Sequence, residues 1–452
     1  MQFKAFCNPI ALVYFIIIIP FGYGWIPVVE ASNASSNSSR DPKLLQDGAS
    51  LFNTHLGGRF KLTGSVSRQG NDTIFKSVGA GTYYETGGEL RLINETFVSE
   101  NMNFEVHYQA IYSRGETFEK TKKIKELFAG VLPESILSTY PDDDRRLWDL
   151  THVIRDSRRS VLYHRLDRLN VAFTPSWGSI RIGRQSVTWG NGLIFNPMDM
   201  FNPFPPTAVD RTYKTGDDTV NTQVGIGNLG DLQILYVARR NPESHAIAFN
   251  QSSAAAKLHM ATGTTELDIM GAHHYKDAIV GVGSRGYLGG AAWRLDIIWT
   301  FLEEGKNYLS LVANMDYSWT WLGRNVYGLV EFFHNGIGKN NYSHALVDPE
   351  IAKRLSRGEL FVLGRDYFAS EIQVELHPLV HVFLTVIGNL HDPSGIIQSR
   401  AIWDATQNLQ LILGTTIEVG EKGTEFGGFP LSGTGLCTPS QDRIFLWTMY
   451  YF

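Results

Sequence analysis

Residues 408–419 read Asn408-Leu-Gln-Leu-Ile-Leu-Gly-Thr-Thr-Ile-Glu-Val419. Leu409, Leu411, Leu413, Thr415, Ile417 and Val419 fall on one side of an extended chain, and Asn408, Gln410, Thr416 and Glu418 on the other. Alternation with a period of two is the signature of a strand; a helix would bring apolar residues round every three or four positions. The same rhythm recurs over residues 104–112, where Glu105, His107 and Gln109 are the polar partners, and at Leu232, Ile234 and Tyr236 against Asp231 and Gln233. Ile372, Val374 and Leu376 oppose Glu371, Gln373, Glu375 and His377, and Val380, Val382, Leu384 and Val386 oppose His381, Thr385 and Asn389. These runs last about 9 to 12 residues, the length a strand tilted near 45° needs to cross a bilayer. Turn-forming clusters such as residues 228–231 and 303–307 separate them.

A soluble sandwich would alternate too, but its strands average about 5 to 6 residues and bury their apolar face in a core. Here long strands recur with almost no helical pattern to cover them. Aromatic residues also gather at strand ends: Tyr317, Trp319 and Trp321, then Phe332 and Phe333, then Trp447, Tyr450 and Tyr451. That placement suits the two girdles at a lipid interface. Strands in hydrocarbon must close on themselves, because an open edge would leave backbone groups unsatisfied. The reading is therefore an all-β, transmembrane antiparallel barrel of about 16 strands, within a range of about 14 to 18, since such barrels usually have an even count. The pattern is weakest over residues 277–299 and 56–84.

The chain has 452 residues, of which 43% are hydrophobic, 12% aromatic and 19% charged, with 44 glycines and a net charge of −5. That composition excludes general disorder, and without a lysine- or arginine-rich block nucleic acid is not an expected partner. Residues 1–31 read as a secretory signal: Lys4, an apolar run from Ile10 to Ile19 broken by Pro20, and Val29-Glu30-Ala31 before Ser32. The mature chain is expected to begin near Ser32, leaving Cys437 as its single cysteine, so no internal disulfide or cysteine-based metal site is expected. No later apolar stretch is long enough for a spanning helix.

The last strand places Ile444, Leu446, Thr448, Tyr450 and Phe452 on one face and stops on the phenylalanine. This resembles the terminal strand of bacterial outer-membrane barrels, whose final aromatic residue is read by the assembly machinery. A second resemblance covers residues 179–218: Arg181-Ile-Gly-Arg184-Gln185, Trp189-Gly-Asn-Gly192, Phe195-Asn196-Pro-Met-Asp199, Phe201-Asn-Pro203, Pro205-Pro206, Asp210 and Gly216-Asp217-Asp218. It is similar to a segment of porin-like outer-membrane proteins related to the alginate-export family. The resemblance implies a passive channel for small anionic or sugar-like solutes, in contact with the bilayer and lipopolysaccharide and without a cofactor.

On its own terms the segment is unusual. Strict alternation would put Arg184 on the face of Ile180 and Ile182, where an arginine near the bilayer midplane costs roughly 2 to 4 kcal/mol. Either Gly183 makes a bulge that turns Arg184 inward, or the strand has already left the hydrocarbon; the favoured expectation is the bulge, with Arg181 and Arg184 both facing the lumen. Residues 189–206 are too rich in Gly and Pro for a strand and too apolar for a solvated loop, so they, and the chain on to residue 216, are expected to fold into the mouth or lumen and narrow the pore. The constriction candidates are Arg181, Arg184, Gln185, Trp189, Asn196, Asp199, Asp210, Arg211, Asp217 and Asp218. Asn196 and Asp199 equally suit turn caps, and the charges from Asp210 to Asp218 a solvated rim.

Residues 115–160 read as a long external loop, with a short amphipathic helix over 118–130 and a charge field at Asp142 to Arg146, Arg155, Arg158 and Arg159 that either lies on the surface or plugs the barrel. Three consecutive aspartates lack the alternating ligand spacing of a calcium loop. Histidines that could serve an enzyme, namely His273-His274, His381, His391-Asp392 and Ser343-His344, sit in no recognisable catalytic motif, and no metal site is expected. Asn-x-Ser/Thr sequons such as Asn71 and Asn341 have no role in a bacterial envelope. The pattern points to an outer-membrane porin that is not an enzyme; a barrel enzyme acting on lipids and a closed structural or adhesin-like barrel are the competing readings.

Overall fold

The computed structural model describes residues 53–127, 140–431, 434–438 and 441–452. The expected leader, the start near Ser32 and the last three residues of the expected helix at 118–130 lie outside them.

Among the described residues nineteen strands form one antiparallel sheet. In chain order they are β1 (Asn53–Gln69), β2 (Thr82–Ser99), β3 (Met102–Gly115), β4 (Thr151–Ser157), β5 (Ser160–Phe173), β6 (Gly178–Gln185), β7 (Asp217–Ile226), β8 (Gly230–Val237), β9 (Ser253–Thr262) and β10 (Thr265–His274). There follow β11 (Asp277–Leu288), β12 (Ala291–Phe301), β13 (Tyr308–Trp321), β14 (Arg324–His334), β15 (Asp366–His377), β16 (Val380–Asn389), β17 (Gly395–Asp404), β18 (Leu409–Val419) and β19 (Gln441–Tyr451). Among the described residues three α-helices lie in connections: α1 (Glu116–Leu127), α2 (Tyr342–Leu346) and α3 (Pro349–Ser356). Among the described residues no helix is long and apolar enough to cross a membrane.

The sheet closes where β1 pairs with β19, from Arg59 opposite Tyr451 to Gln69 opposite Gln441. Both β4 and β6 lie along the same edge of β5, β4 beside residues 160–165 and β6 beside 169–173. They occupy one position in the circumference, so 18 strands surround the lumen. That is the upper end of the expected range. The two weakly patterned stretches turn out to be β1 and the pair β11 and β12.

Alternation sorts most strands as expected. In β18, Leu413, Ile417 and Val419 are exposed while Ile412 is buried. In β11, Val280 and Val282 face out and Ile279 is buried. The outward faces form an apolar band with Trp319, Trp321, Trp403 and Tyr450 exposed toward one end, as a lipid-facing surface requires. Connections at that end are short, such as residues 100–101, 263–264 and 322–323, and the C-terminus lies there too. Most connections at the other end are long. There Ile74, Phe75, Ile124, Tyr342, Leu346 and Phe429 pack into one apolar cluster built from four separate connections.

The terminal phenylalanine completes the seam. Gly58 N–H donates to the Phe452 carbonyl at 2.7 Å and Phe452 N–H to the Gly58 carbonyl at 3.0 Å. A Cβ at Gly58 would stand 2.4 Å from the Phe452 ring and 2.6 Å from the Arg91 carbonyl. Gly58→Val is therefore expected to weaken closure by about 1–3 kcal/mol through overpacking, read as a lower guanidinium midpoint of the refolded protein in detergent; an unchanged midpoint would contradict this seam.

Candidate functional site

Between β6 and β7 the chain leaves the wall at Gln185 and returns at Asp217, and the intervening segment runs through the barrel interior. Irregular backbone in such a place carries amide groups that need partners. On one side carboxylates supply them. Glu331 of β14 accepts from the N–H groups of Leu193 at 2.8 Å, Ile194 at 3.1 Å and Phe195 at 2.6 Å. Asp296 of β12 accepts from the Asn191 backbone and side-chain N–H groups, both at 2.6 Å. Asn314 of β13 donates to the Asn191 carbonyl and to Glu331, both at 3.1 Å. Hydrogen bonds to an ionised acceptor are roughly twice as strong as neutral ones, so these two carboxylates fix the backbone of residues 191–195.

Apolar side chains then find the cover the sequence demanded. Val187, Trp189, Met198, Met200 and Phe201 pack against inward-facing Leu235, Val237, Met270, Ile279 and Ile298. Phe195 stacks on Phe333 with centroids 4.6 Å apart, and Trp189 Nε1 donates to Gln233 at 2.6 Å. Gly283 makes the room, since a Cβ there would lie 2.5 Å from Asp296 and 2.8 Å from the Asn191 amide.

On the opposite side the wall is basic. Asp210 pairs with Arg59 at 2.9 Å and Lys61 at 3.0 Å, both on β1. The Tyr213 ring lies between the Arg59 guanidinium at 4.8 Å and that of Arg91 on β2 at 4.2 Å, a double cation–π contact. Arg91 and Arg168 share Asp167 at 2.9 and 3.0 Å, and Arg168 also donates to the Lys214 carbonyl. Burial drives the Asp210 carboxyl up, but Lys61 and Arg59 outweigh it and bring it down to about 2. Within the segment Lys214 reaches both Asp199 oxygens at 2.6 Å, and Asn196 donates to the Trp189 carbonyl at 2.9 Å. Burial pushes the Asp199 carboxyl up to about 6 against the pull of Lys214, and burial lowers Lys214 in turn.

Of the residues expected at a constriction, Trp189, Asn196, Asp199, Asp210 and Arg211 are brought together on this segment, and Gln185 and Asp217 face each other across its base. Trp189, Gln185 and Asp199 are buried, while Arg211 is exposed and donates to the carbonyls of Leu193, Pro206 and Ala208. Arg181 is exposed on the inward face, opposite Ala172 and Asn221. Asp217 pairs with Arg239 at 2.6 Å.

Arg184 departs from expectation. No bulge occurs at Gly183: the register of β6 against β5 and β7 is unbroken, so Arg184 stays on the side of Ile182 and Val220 rather than turning into the lumen. It is nevertheless 1% exposed. The chain's turn inward cuts β6 and β7 short, which leaves a notch in the wall above them. Residues 143–157, expected as an external loop, fill the notch. Here β4 pairs with β5, Leu166 N–H donates to the Leu150 carbonyl at 3.0 Å, and Arg240 N–H donates to the Arg145 carbonyl at 2.9 Å. Arg184 is the keystone, bound to Asp218 at 2.8 Å, Asp143 at 2.9 Å and the Trp148 carbonyl at 2.6 Å. Asp218 accepts in turn from Trp148 N–H at 2.9 Å. Arg184 and Asp218 thus join wall to patch. Burial raises the Asp143 carboxyl, yet Arg146 and Arg184 outweigh it and hold it at about 2.

Sequence reasoning missed Asp296, Glu331, Arg59, Lys61, Arg91 and Asp167. Their signal is a charged residue at an inward position of a long strand, which is common to every water-filled barrel and so singles out none of them. Among the described residues no group of three His, Cys, Asp or Glu side chains could hold a metal ion.

No family model matches the chain, and no curated protein matches its sequence. Solved structures that resemble it include OccAB4 of Acinetobacter baumannii, 8% identical with a TM-score of 0.48, covering 88% of this chain and 98% of that one. A BenF-like porin from Pseudomonas fluorescens Pf-5 is 11% identical with a TM-score of 0.48 and the same coverages, 88% and 98%. OpdK of Pseudomonas aeruginosa, solved with vanillate, is 10% identical with a TM-score of 0.48, again covering 88% and 98%.

Arg184→Ala would leave the buried Asp218 carboxylate without a guanidinium and Asp143 with Arg146 alone, an expected loss of roughly 3–5 kcal/mol in the guanidinium unfolding of the refolded barrel. Because the Asp143 carboxyl is held below its unfolded value, its contribution is complete above about pH 4 and lost as pH falls toward about 2. The unfolding midpoint is expected to drop over that window in the wild type and to drop less in Asp143→Asn; equal slopes would contradict the assignment.

Proposed function

We propose that this chain is a porin of the bacterial outer membrane through which small anionic or sugar-like solutes diffuse passively. The observation that carries the reading is the segment over residues 186–216, fixed to an acidic wall on one side and a basic wall on the other, which narrows the lumen and carries the exposed Arg211, while Arg181 is exposed on the inward face of the wall. A constriction of this kind selects by size and by charge, and guanidinium forks offer paired donors to carboxylates and hydroxyls. Glu371 and Arg400 lie within electrostatic reach of Arg211, so the passage is mixed in sign rather than a uniform basic ring. The similarity of residues 179–218 to porins related to the alginate-export family supports the same class. The exposed apolar band supports contact with bilayer and lipopolysaccharide, and the Phe452 terminus supports assembly by the outer-membrane machinery.

An enzyme has one arrangement in its favour: Ser253 Oγ lies 2.9 Å from His274 Nδ1, and His274 Nε2 lies 3.0 Å from Glu359. Ser253 is 1% exposed, however, and its hydroxyl already accepts from Arg239 at 2.7 Å. The hydroxyl is closed off from any substrate, and the Arg239 guanidinium bonded to its oxygen opposes attack. The chain ties the connection after α3 to the wall, which is a structural role.

In planar bilayers the refolded full chain is expected to give unitary conductance steps with a reversal potential favouring anions. Arg181→Glu and Arg211→Glu are each expected to shift that potential toward cations without abolishing the steps. Absence of steps from the pure protein would remove the channel reading, and unchanged selectivity in both variants would remove these arginines from the constriction.

A further inference from the structure

The outward face of β3, β4, β5 and β6 carries features that a purely hydrocarbon-facing surface would not keep. Along β5, Val161, Tyr163 and Arg165 are buried inward, so Leu162, His164 and Leu166 point out. By register, Tyr112 and Arg114 of β3 and His152 and Arg155 of β4 share that outward face. Arg114 and Arg155 are exposed, and neither has an ion-pair partner among the described residues. They flank β5 on its two edges, two strand spacings or roughly 10 Å apart. Below them the His164 ring touches both Tyr108, at 5.6 Å between centroids, and His152, at 5.5 Å. Around them stand Lys122, Arg158 and Arg159, opposed by Glu119 and Asp156, to which they are paired.

The wall notch leaves a second mark here. Where β6 replaces β4 along the edge of β5, the outer surface steps and opens an apolar groove lined by Phe104, Trp148, Leu150, Leu169, Val171 and Ile182. Asp149 is its one acidic lining residue. The groove begins about seven residues along β5 from Leu162, roughly 20 Å at strand rise, within reach of a long fatty acyl chain. A cationic pair without an ion-pair partner among the described residues at one end and a largely apolar groove at the other are complementary to a single kind of ligand.

We propose that this face holds a phosphorylated, multiply acylated glycolipid of the outer leaflet, with phosphate on Arg114 and Arg155, sugar against the Tyr108, His164 and His152 rings, and one acyl chain in the groove. The proposal rests on the outer-membrane reading but not on conduction. Phosphate accepts charge-assisted bonds from guanidinium, and aromatic rings at the interface suit a sugar face.

The test uses full-length chain refolded in detergent, free of native lipid, with bis-phosphorylated hexa-acyl lipid A titrated in and adducts counted by native mass spectrometry. The wild type is expected to bind one molecule, with at least tenfold weaker binding of the dephosphorylated form and of phosphatidylglycerol. Arg114→Glu with Arg155→Glu is expected to remove the preference for phosphate. Val171→Trp and, independently, Ile182→Trp are expected to weaken both lipid A forms by filling the groove. Equal binding of phosphorylated and dephosphorylated lipid A, equal binding of phosphatidylglycerol, or retention of the preference in the arginine variant would each overturn the proposal. Conductance recorded on the same preparations separates the two claims: a silent barrel that binds lipid A removes only the channel, and a conducting barrel that ignores it removes only this site.

Discussion

Three backbone amides on one carboxylate hold the architecture of the lumen. A chain that leaves a barrel wall and crosses the interior without regular structure exposes amide groups that neither lipid nor an apolar core can satisfy. Glu331 meets three of them in succession, and Asp296 a fourth beside a side-chain amide. A buried carboxylate is itself costly unless donors converge on it, so each partner supplies what the other lacks. The far end of the segment is secured by the converse arrangement, Asp210 and Tyr213 against Arg59, Lys61 and Arg91. Charge on the wall thus holds the lumenal segment from both sides.

The inward turn has a consequence for the wall. By ending β6 and β7 early it opens a notch that hydrocarbon would otherwise meet as unpaired strand ends, and the connection after α1 folds down to fill it. Arg184 and Asp218 then lie under that patch, not in the lumen, which is why an arginine can keep its place in strict alternation with Ile180 and Ile182. The positive φ of 125° at Gly183 belongs to this strand end and not to a bulge.

Much of this was readable beforehand in the strands that pair apolar with polar side chains, such as β16 and β18, because one face meets lipid and the other water. The class of fold followed from that contrast. In β11 the contrast fails because Gly281 and Gly283 stand where polar side chains would face water; there the lumenal segment replaces the water and Met198 reaches both glycines. In β1, Gly58, Gly64 and Arg68 stand on the outward face with Phe60, Leu62 and Val66 and obscure it likewise. The apolar content of residues 189–206 did reveal a need for cover, yet not its anchors, since Glu331 and Asp296 lie over a hundred residues away and look like any lumen-facing acid. Asp142 to Arg146 read as a solvated charge run for the same reason: their partners Arg184 and Arg240 are brought to them only by the barrel.

The most direct test of the anchored lumenal segment is amide hydrogen exchange of the refolded protein in detergent. Protection of the Leu193, Ile194 and Phe195 amides comparable to that of the neighbouring strands, lost selectively in Glu331→Gln, is the result predicted; exchange of those amides at the rate of a solvated loop in the wild type would contradict it.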